Sequence, residues 1–98
     1  MTSRFVLGID VGTTALKTVA LEREQGIVAH TELSHELFSP HPGWAEEHPE
    51  HWWATTVEAI HELLTVIPAE SIEAIGVSGM VPAMVILDAS GKLLRLSI

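Results

Sequence analysis

Leu7-Gly8-Ile9-Asp10-Val11-Gly12-Thr13-Thr14-Ala15-Leu16-Lys17 decides how this chain folds. Phe5 to Asp10 is a short, nearly continuous apolar run ending in an acid, which reads as a buried strand. Val11-Gly12-Thr13-Thr14 is a turn. Leu16 to Leu21 alternates and is rich in β-forming residues, so it makes a second strand. The first strand therefore delivers Asp10 at its carboxyl end. Gly12 allows a sharp turn and close backbone approach to a ligand. The turn's N–H groups, with the Thr13 and Thr14 hydroxyls, can form an anion-binding concavity for phosphate. Lys17 adds a point charge nearby. Asp10 suits Mg²⁺ held through water, because Mg²⁺ gives up its hydration shell reluctantly. Phosphoryl transfer calls for that combination, since it depends on positioning and charge neutralisation.

Outward from this hairpin, Glu22 to Gly26 is a polar reversal, and Ile27 to Leu37 alternates as a third strand. The first three elements make an antiparallel meander. Pro40, Pro42 and Gly43 mark a loop. Pro49 opens a helix, where its missing N–H costs nothing. Trp53, Val57, Ile60, Leu64 and Ile67 fall on one helical face, and Pro68 marks the end. Ile72 to Ser78 reads as a buried parallel strand. Ala83 to Leu87 and Lys92 to Leu96 read as a hairpin across Asp88-Ala89-Ser90-Gly91. The fold class is α/β: three antiparallel strands, a helix crossover, a strand and a hairpin, the opening of a ribonuclease-H-like layer.

Composition narrows the function. The 98 residues form one domain at most, or part of one, with 47% hydrophobic and 18% charged residues. That composition excludes disordered and fibrous classes. The absence of cysteine removes disulfide scaffolds and thiolate chemistry and fits a reducing, cytoplasmic setting. The net charge of −8 sits in the middle, where residues 22–73 hold eleven glutamates and one arginine. With no basic stripe, neither nucleic acid nor an anionic membrane is an expected partner. No apolar run approaches the roughly 20 residues of a membrane helix.

GIDVGTTALK resembles the first phosphate motif of the acetate kinase/hexokinase/Hsp70/actin superfamily. Pro42-Gly43-Trp44-Ala45-Glu46-Glu47-His48-Pro49-Glu50-His51-Trp52-Trp53 resembles the P-G-W-x-E-x-x-P-x-x-W-W signature of FGGY carbohydrate kinases. Ile75-Gly76-Val77-Ser78-Gly79, followed by Val85-Ile86-Leu87-Asp88-Ala89-Ser90-Gly91, is similar to that family's I-G-x-S-G and L-L-D-x-x-G pattern. The resemblance implies a two-domain, actin-like ATPase enzyme whose cleft brings ATP and Mg²⁺ to a sugar or polyol hydroxyl. It implies that residues 1–98 are the N-terminal part of the first domain, with the catalytic base and the second domain further along. Such a piece is expected to be inactive alone. Asp10, Gly12, Thr13, Thr14 and Lys17 fall on the family's phosphate and metal loop, with Asp10 the magnesium residue. Gly79, Met80, Val81 and Pro82 fall where members contact the sugar. Xylulokinase-like members read S-G-Q-M-H-G there. Met80 and Pro82 replace the glutamine and histidine, so those side-chain hydrogen bonds to sugar have no counterpart. His48 stands where members often have aspartate, a weaker helix N-cap.

Two other function classes compete. One is an Hsp70- or actin-like conformational ATPase, which the phosphate loop alone would serve. The P-G-W-A-E…W-W block speaks against it. The other is a non-catalytic fragment or interaction module. A truncated sheet leaves edge strands and apolar surface that favour self-association, such as a homodimer. Single residues have blander readings. Trp53 fits the helix's buried face. Trp44 is a loop residue that packing accounts for better than sugar stacking. Glu46 and Glu47 read as solvated or loop-capping. Met80, Met84 and Val85 read as core and cleft lining rather than a cofactor box. The six histidines lack H-E-x-x-H, and Ser78 lacks the G-x-S-x-G of a nucleophile elbow.

Overall fold

The computed structural model describes residues 4–35, 38–79 and 83–97. A four-stranded sheet has the order β3-β2-β1-β4. β1 (Phe5–Val11), β2 (Ala15–Glu22) and β3 (Gly26–Ser34) form the expected antiparallel meander. The helix α1 (Pro49–Leu63) then crosses over, and β4 (Ile72–Gly79) returns parallel to β1. The reversal between β2 and β3 is fixed locally. Glu22 Oε2 accepts from the amides of Glu24 at 3.0 Å and Gln25 at 2.7 Å. Gly26 closes the reversal at φ 76°, in the left-handed region.

Alternation sends Leu7, Ile9, Leu16 and Ala20 to one face, where they are buried against Ala59, Leu63 and Ile67. Thr18 and Thr31, opposite each other in the register, are also buried and hydrogen-bond through their hydroxyls. The other face of the sheet carries Val6, Gly8, Asp10, Lys17, Val19 and Leu21 and is open.

Several expectations need correction. The helix stops at Leu63 and tightens into a turn over Leu64 to Val66, rather than running to Pro68. The run Thr65-Val66-Ile67 is β-branched, and the residue before a proline is driven out of the helical region. The buried stripe is turned from the expected one. Trp53 is 72% exposed, whereas Ala59 is fully buried. The smallest side chain sits where the helix comes closest to Ile9 and Leu16. β4 is parallel as expected but is not buried, because it is an edge strand and α1 lies over β2 and β3. The last hairpin is reduced to one bridge, Leu87 with Leu93, and Met84 and Val85 are exposed rather than core. Among the described residues, this segment pairs with no strand of the sheet.

Loop residues 38–47 have their own logic. Phe38 and Glu46 exchange backbone hydrogen bonds at 2.7 Å. Within that closure, the Trp44 amide donates to the His41 carbonyl at 3.0 Å. With Pro42 second and Gly43 third at φ 82°, this is the pattern of a type II turn.

Candidate phosphate and sugar site

The turn after β1 is a two-residue hairpin loop. The Gly12 amide donates to the Ala15 carbonyl at 3.0 Å, with Thr13 and Thr14 between them. A side chain on Gly12 would bring its Cβ within 2.9 Å of the Ala15 oxygen, so only glycine lets the strands close this tightly. Neither threonine has positive φ. Both are exposed, and among the described residues neither amide has a backbone acceptor. The Thr14 carbonyl is occupied by the His35 amide at 2.8 Å, which ties the turn to the end of β3.

The register assembles the remaining residues. Asp10 stands opposite Lys17 on β2, and both project to the open face. Among the described residues, the ion pairs are Arg4 with Glu73 and Arg95 with Glu46. Asp10 and Lys17 are thus cross-strand neighbours that form no ion pair with each other or with any described partner. Asp10 Oδ2 lies toward the turn, 3.8 Å from where a Gly12 Cβ would be. Gly79 sits opposite Val11 at the end of β4. The Gly12-Thr13-Thr14 turn and Gly79, the start of the expected sugar segment, therefore meet at the carboxyl ends of two adjacent parallel strands, where open α/β sheets bind ligands. Met80, Val81 and Pro82 lie outside the described residues. Behind the turn the open face forms a trough of about 500 Å³, lined by Val6, Gly8, Asp10, Lys17, Val19 and Ser78 among others.

The residues fit a metal–nucleotide ligand. Exposed Asp10 is a hard oxygen donor, the turn offers unfilled amides, and Lys17 adds a cation. Ser78 lines the same trough. The sequence offered two clues to it, its place at the end of an apolar strand and its position in the I-G-x-S-G pattern.

The P-G-W block takes a different role. Glu46 and Glu47 are not solvated, being 8% and 5% exposed. Glu46 Oε1 accepts from Arg95 Nη2 at 2.9 Å, and Glu47 Oε1 accepts from Trp52 Nε1 at 3.2 Å. The Glu47 backbone also pairs with Ser97. The block therefore fastens loop, helix and the segment at residues 83–97 together. Trp44 remains 53% exposed beside His41, with ring centroids 4.6 Å apart. His48 and His51 stack at 4.6 Å, and His48 makes no side-chain cap, as its weak capping chemistry implied. Among the described residues no cluster of histidine and acid side chains could hold a metal, and no helix is long and apolar enough to cross a membrane.

Comparison with known proteins gives a consistent result. Residues 5–98 match the FGGY family of carbohydrate kinases, N-terminal domain. The chain is 34% identical over 94 residues to the xylulose kinase of Bacillus subtilis, covering 94% of this chain and 19% of that protein. It is 33% identical to the glycerol kinase of Carboxydothermus hydrogenoformans, covering 90% of this chain and 18% of that protein. Among solved structures, the xylulose kinase of Rhodospirillum rubrum superposes with a TM-score of 0.88 at 40% identity, over 97% of this chain and 20% of that one. The gluconate kinase of Lactobacillus acidophilus gives 0.91 at 31% identity, over 99% of this chain and 20% of that one. The chain thus spans about a fifth of the length of these relatives.

Proposed function

This chain belongs to the FGGY family of carbohydrate kinases, and from that premise we propose that it supplies the phosphate-binding and part of the sugar-binding side of a kinase acting on a sugar or polyol hydroxyl. The observation that carries the reading is the meeting of Asp10, the Gly12-Thr13-Thr14 turn, Lys17 and Gly79 at the carboxyl ends of β1 and β4.

In this reading Asp10 holds Mg²⁺ through its water shell. The Thr13 and Thr14 amides and hydroxyls receive phosphate oxygens. Lys17 offsets their charge from the neighbouring strand. Gly12 keeps the turn tight enough for backbone to reach the ligand. ATP supplies the transferable phosphoryl group and Mg²⁺ neutralises its charge. The chain's own part is electrostatic: fixed donors and a cation that need no reorganisation when charge shifts. Gly79 and the three residues after it contact the acceptor. The relatives are named for xylulose, glycerol and gluconate, so the proposal stays at the level of a sugar or polyol. The base that deprotonates the acceptor, and the second domain, belong to the remainder of the protein. Residues 1–98 alone form an incomplete, inactive part of the first domain, in a cytoplasmic enzyme.

The test is ADP release by the complete protein across a panel of pentoses, hexoses, sugar acids and polyols. ADP release with one acceptor, abolished by Asp10→Ala, supports the reading. ATP hydrolysis indifferent to every acceptor would replace it with a conformational ATPase.

A further inference from the structure

Ser78 is the one polar side chain of the trough's strand positions that this reading leaves without a task. It stands opposite Asp10 in the parallel register of β4, as Lys17 does in the antiparallel register of β2. Neighbouring strands lie about 4.8 Å apart, and residues in register share a face. Lys17, Asp10 and Ser78 therefore form a row across three strands, and all three line the trough. Beyond that row the trough's side chains are apolar: Val6, Val19 and Leu21. The row is the polar boundary between that apolar floor and the phosphate turn.

Asp10 consequently has a cation on one flank and a hydroxyl on the other. Its Oδ2 faces the turn, which leaves Oδ1 for a partner on a flank. Ser78 is exposed, so its hydroxyl can take any staggered position its strand permits. A carboxylate that grips a metal through water depends on such outer partners for its orientation. Removing one typically costs about 10–100-fold in metal affinity.

We propose that Ser78 is a positioning residue for Asp10, its hydroxyl donating to the carboxylate and holding it in the orientation that receives the metal–nucleotide. The inference rests on the kinase reading of the turn. It assigns Ser78 no contact with the acceptor, so it predicts an effect on the metal–nucleotide side alone.

The test uses the complete protein and measures MnADP binding by electron paramagnetic resonance, with acceptor KM and thermal midpoint recorded for each variant. Ser78→Ala should weaken MnADP by about tenfold and leave acceptor KM and midpoint unchanged. Ser78→Thr, which keeps the hydroxyl and suits a strand, should restore binding to within about twofold of the parent. Unchanged MnADP affinity in Ser78→Ala overturns the proposal, as does equal weakening in both variants, because the hydroxyl would then not be the agent. Asp10→Asn separates the two levels. If it weakens MnADP while Ser78→Ala does not, only the role of Ser78 falls. If Asp10→Asn leaves binding intact, the reading of the turn fails and the role of Ser78 fails with it.

Discussion

Gly12 is held to glycine by a contact rather than by a dihedral angle. Its φ is not positive, yet an added Cβ would meet the Ala15 carbonyl at 2.9 Å, which is backbone and cannot swing aside. Gly12→Ala should therefore lower stability by about 1–3 kcal/mol, in the range of overpacked sites, and weaken nucleotide binding by opening the turn. Denaturant unfolding and a nucleotide titration check both effects. Gly76 is the control. A Cβ there meets nothing within 4 Å, so Gly76→Ala should be neutral or gain roughly 0.5–1 kcal/mol from reduced chain entropy. At Asp88 the issue is charge. Its carboxylate accepts from the Ser90 hydroxyl at 2.7 Å and from the amides of Lys92 at 2.8 Å and Ser90 at 2.9 Å. These bonds, the Ser90 hydroxyl foremost, hold its pKa below the ordinary 3.8. A carboxylate depressed on folding contributes its full stabilisation above its unfolded pKa and loses it as pH falls through the folded one. The Ser90 and Lys92 amides should thus lose hydrogen-exchange protection only below about pH 4, and Asp88→Asn should remove that pH dependence. The Glu46 pairing was not legible in the sequence, since the partner, Arg95, lies 49 residues away. Local composition reports a charge, and only the fold reports whom it meets.

At the scale of elements, α1 shows what periodicity can and cannot fix. Pro49 and the apolar spacing place the helix, but its phase depends on what it packs against. Counting large apolar residues puts Trp53 inward, and the sheet instead receives Ala59 and Leu63. Thr56 is half-buried because its hydroxyl is already bonded to the Trp52 carbonyl at 2.6 Å. Leu63→Ala should therefore cost about 2–5 kcal/mol. Trp53→Ala should stay within about 0.5 kcal/mol, as exposed sites do. Equal losses in chemical denaturation would restore the phase that periodicity suggests. The meander was legible because alternation and turn residues are local signals: Gly12 closes one hairpin, and Glu22 with Gly26 the other. The asymmetry of β4 was not. Ile72-Glu73-Ala74-Ile75-Gly76-Val77-Ser78 is written for a covered strand, and no pattern within a strand states whether a covering layer is present. The site followed the same rule. The motif singled out Asp10, the turn and Lys17 as candidates, while the place of Ser78 beside them emerged only from strand register.

The whole molecule is a layer with one side filled. Its radius of gyration is 15.8 Å, against about 13 Å for a self-contained domain of 100 residues. α1 covers one sheet face over β2 and β3 but not over β4, the other face holds Val6, Val19 and Leu21 in an open trough, and β4 leaves a free edge. Val77 is 72% exposed and Ile75 56%, and of the strand's eight residues only Glu73 is charged. Natural sheets guard such edges with charge, above all lysine, because unpaired backbone beside apolar side chains invites another strand. Residues 1–98 by themselves should therefore bind a hydrophobic dye such as ANS in the native state, and their mass by light scattering should rise with concentration. Val77→Lys should suppress that rise without moving the thermal midpoint by more than a degree or two, since the site is exposed and unpacked. Dye binding should fall only in part, because Val77 lines the trough only at its β4 side and Val6, Val19 and Leu21 stay in place. Val19→Lys, placed in that trough, should reduce the dye signal while leaving association through β4 in place. The two substitutions thus separate the free edge from the open face. A chain that stayed monomeric and silent to dye at every concentration would mean that the edge and the trough are closed in solution.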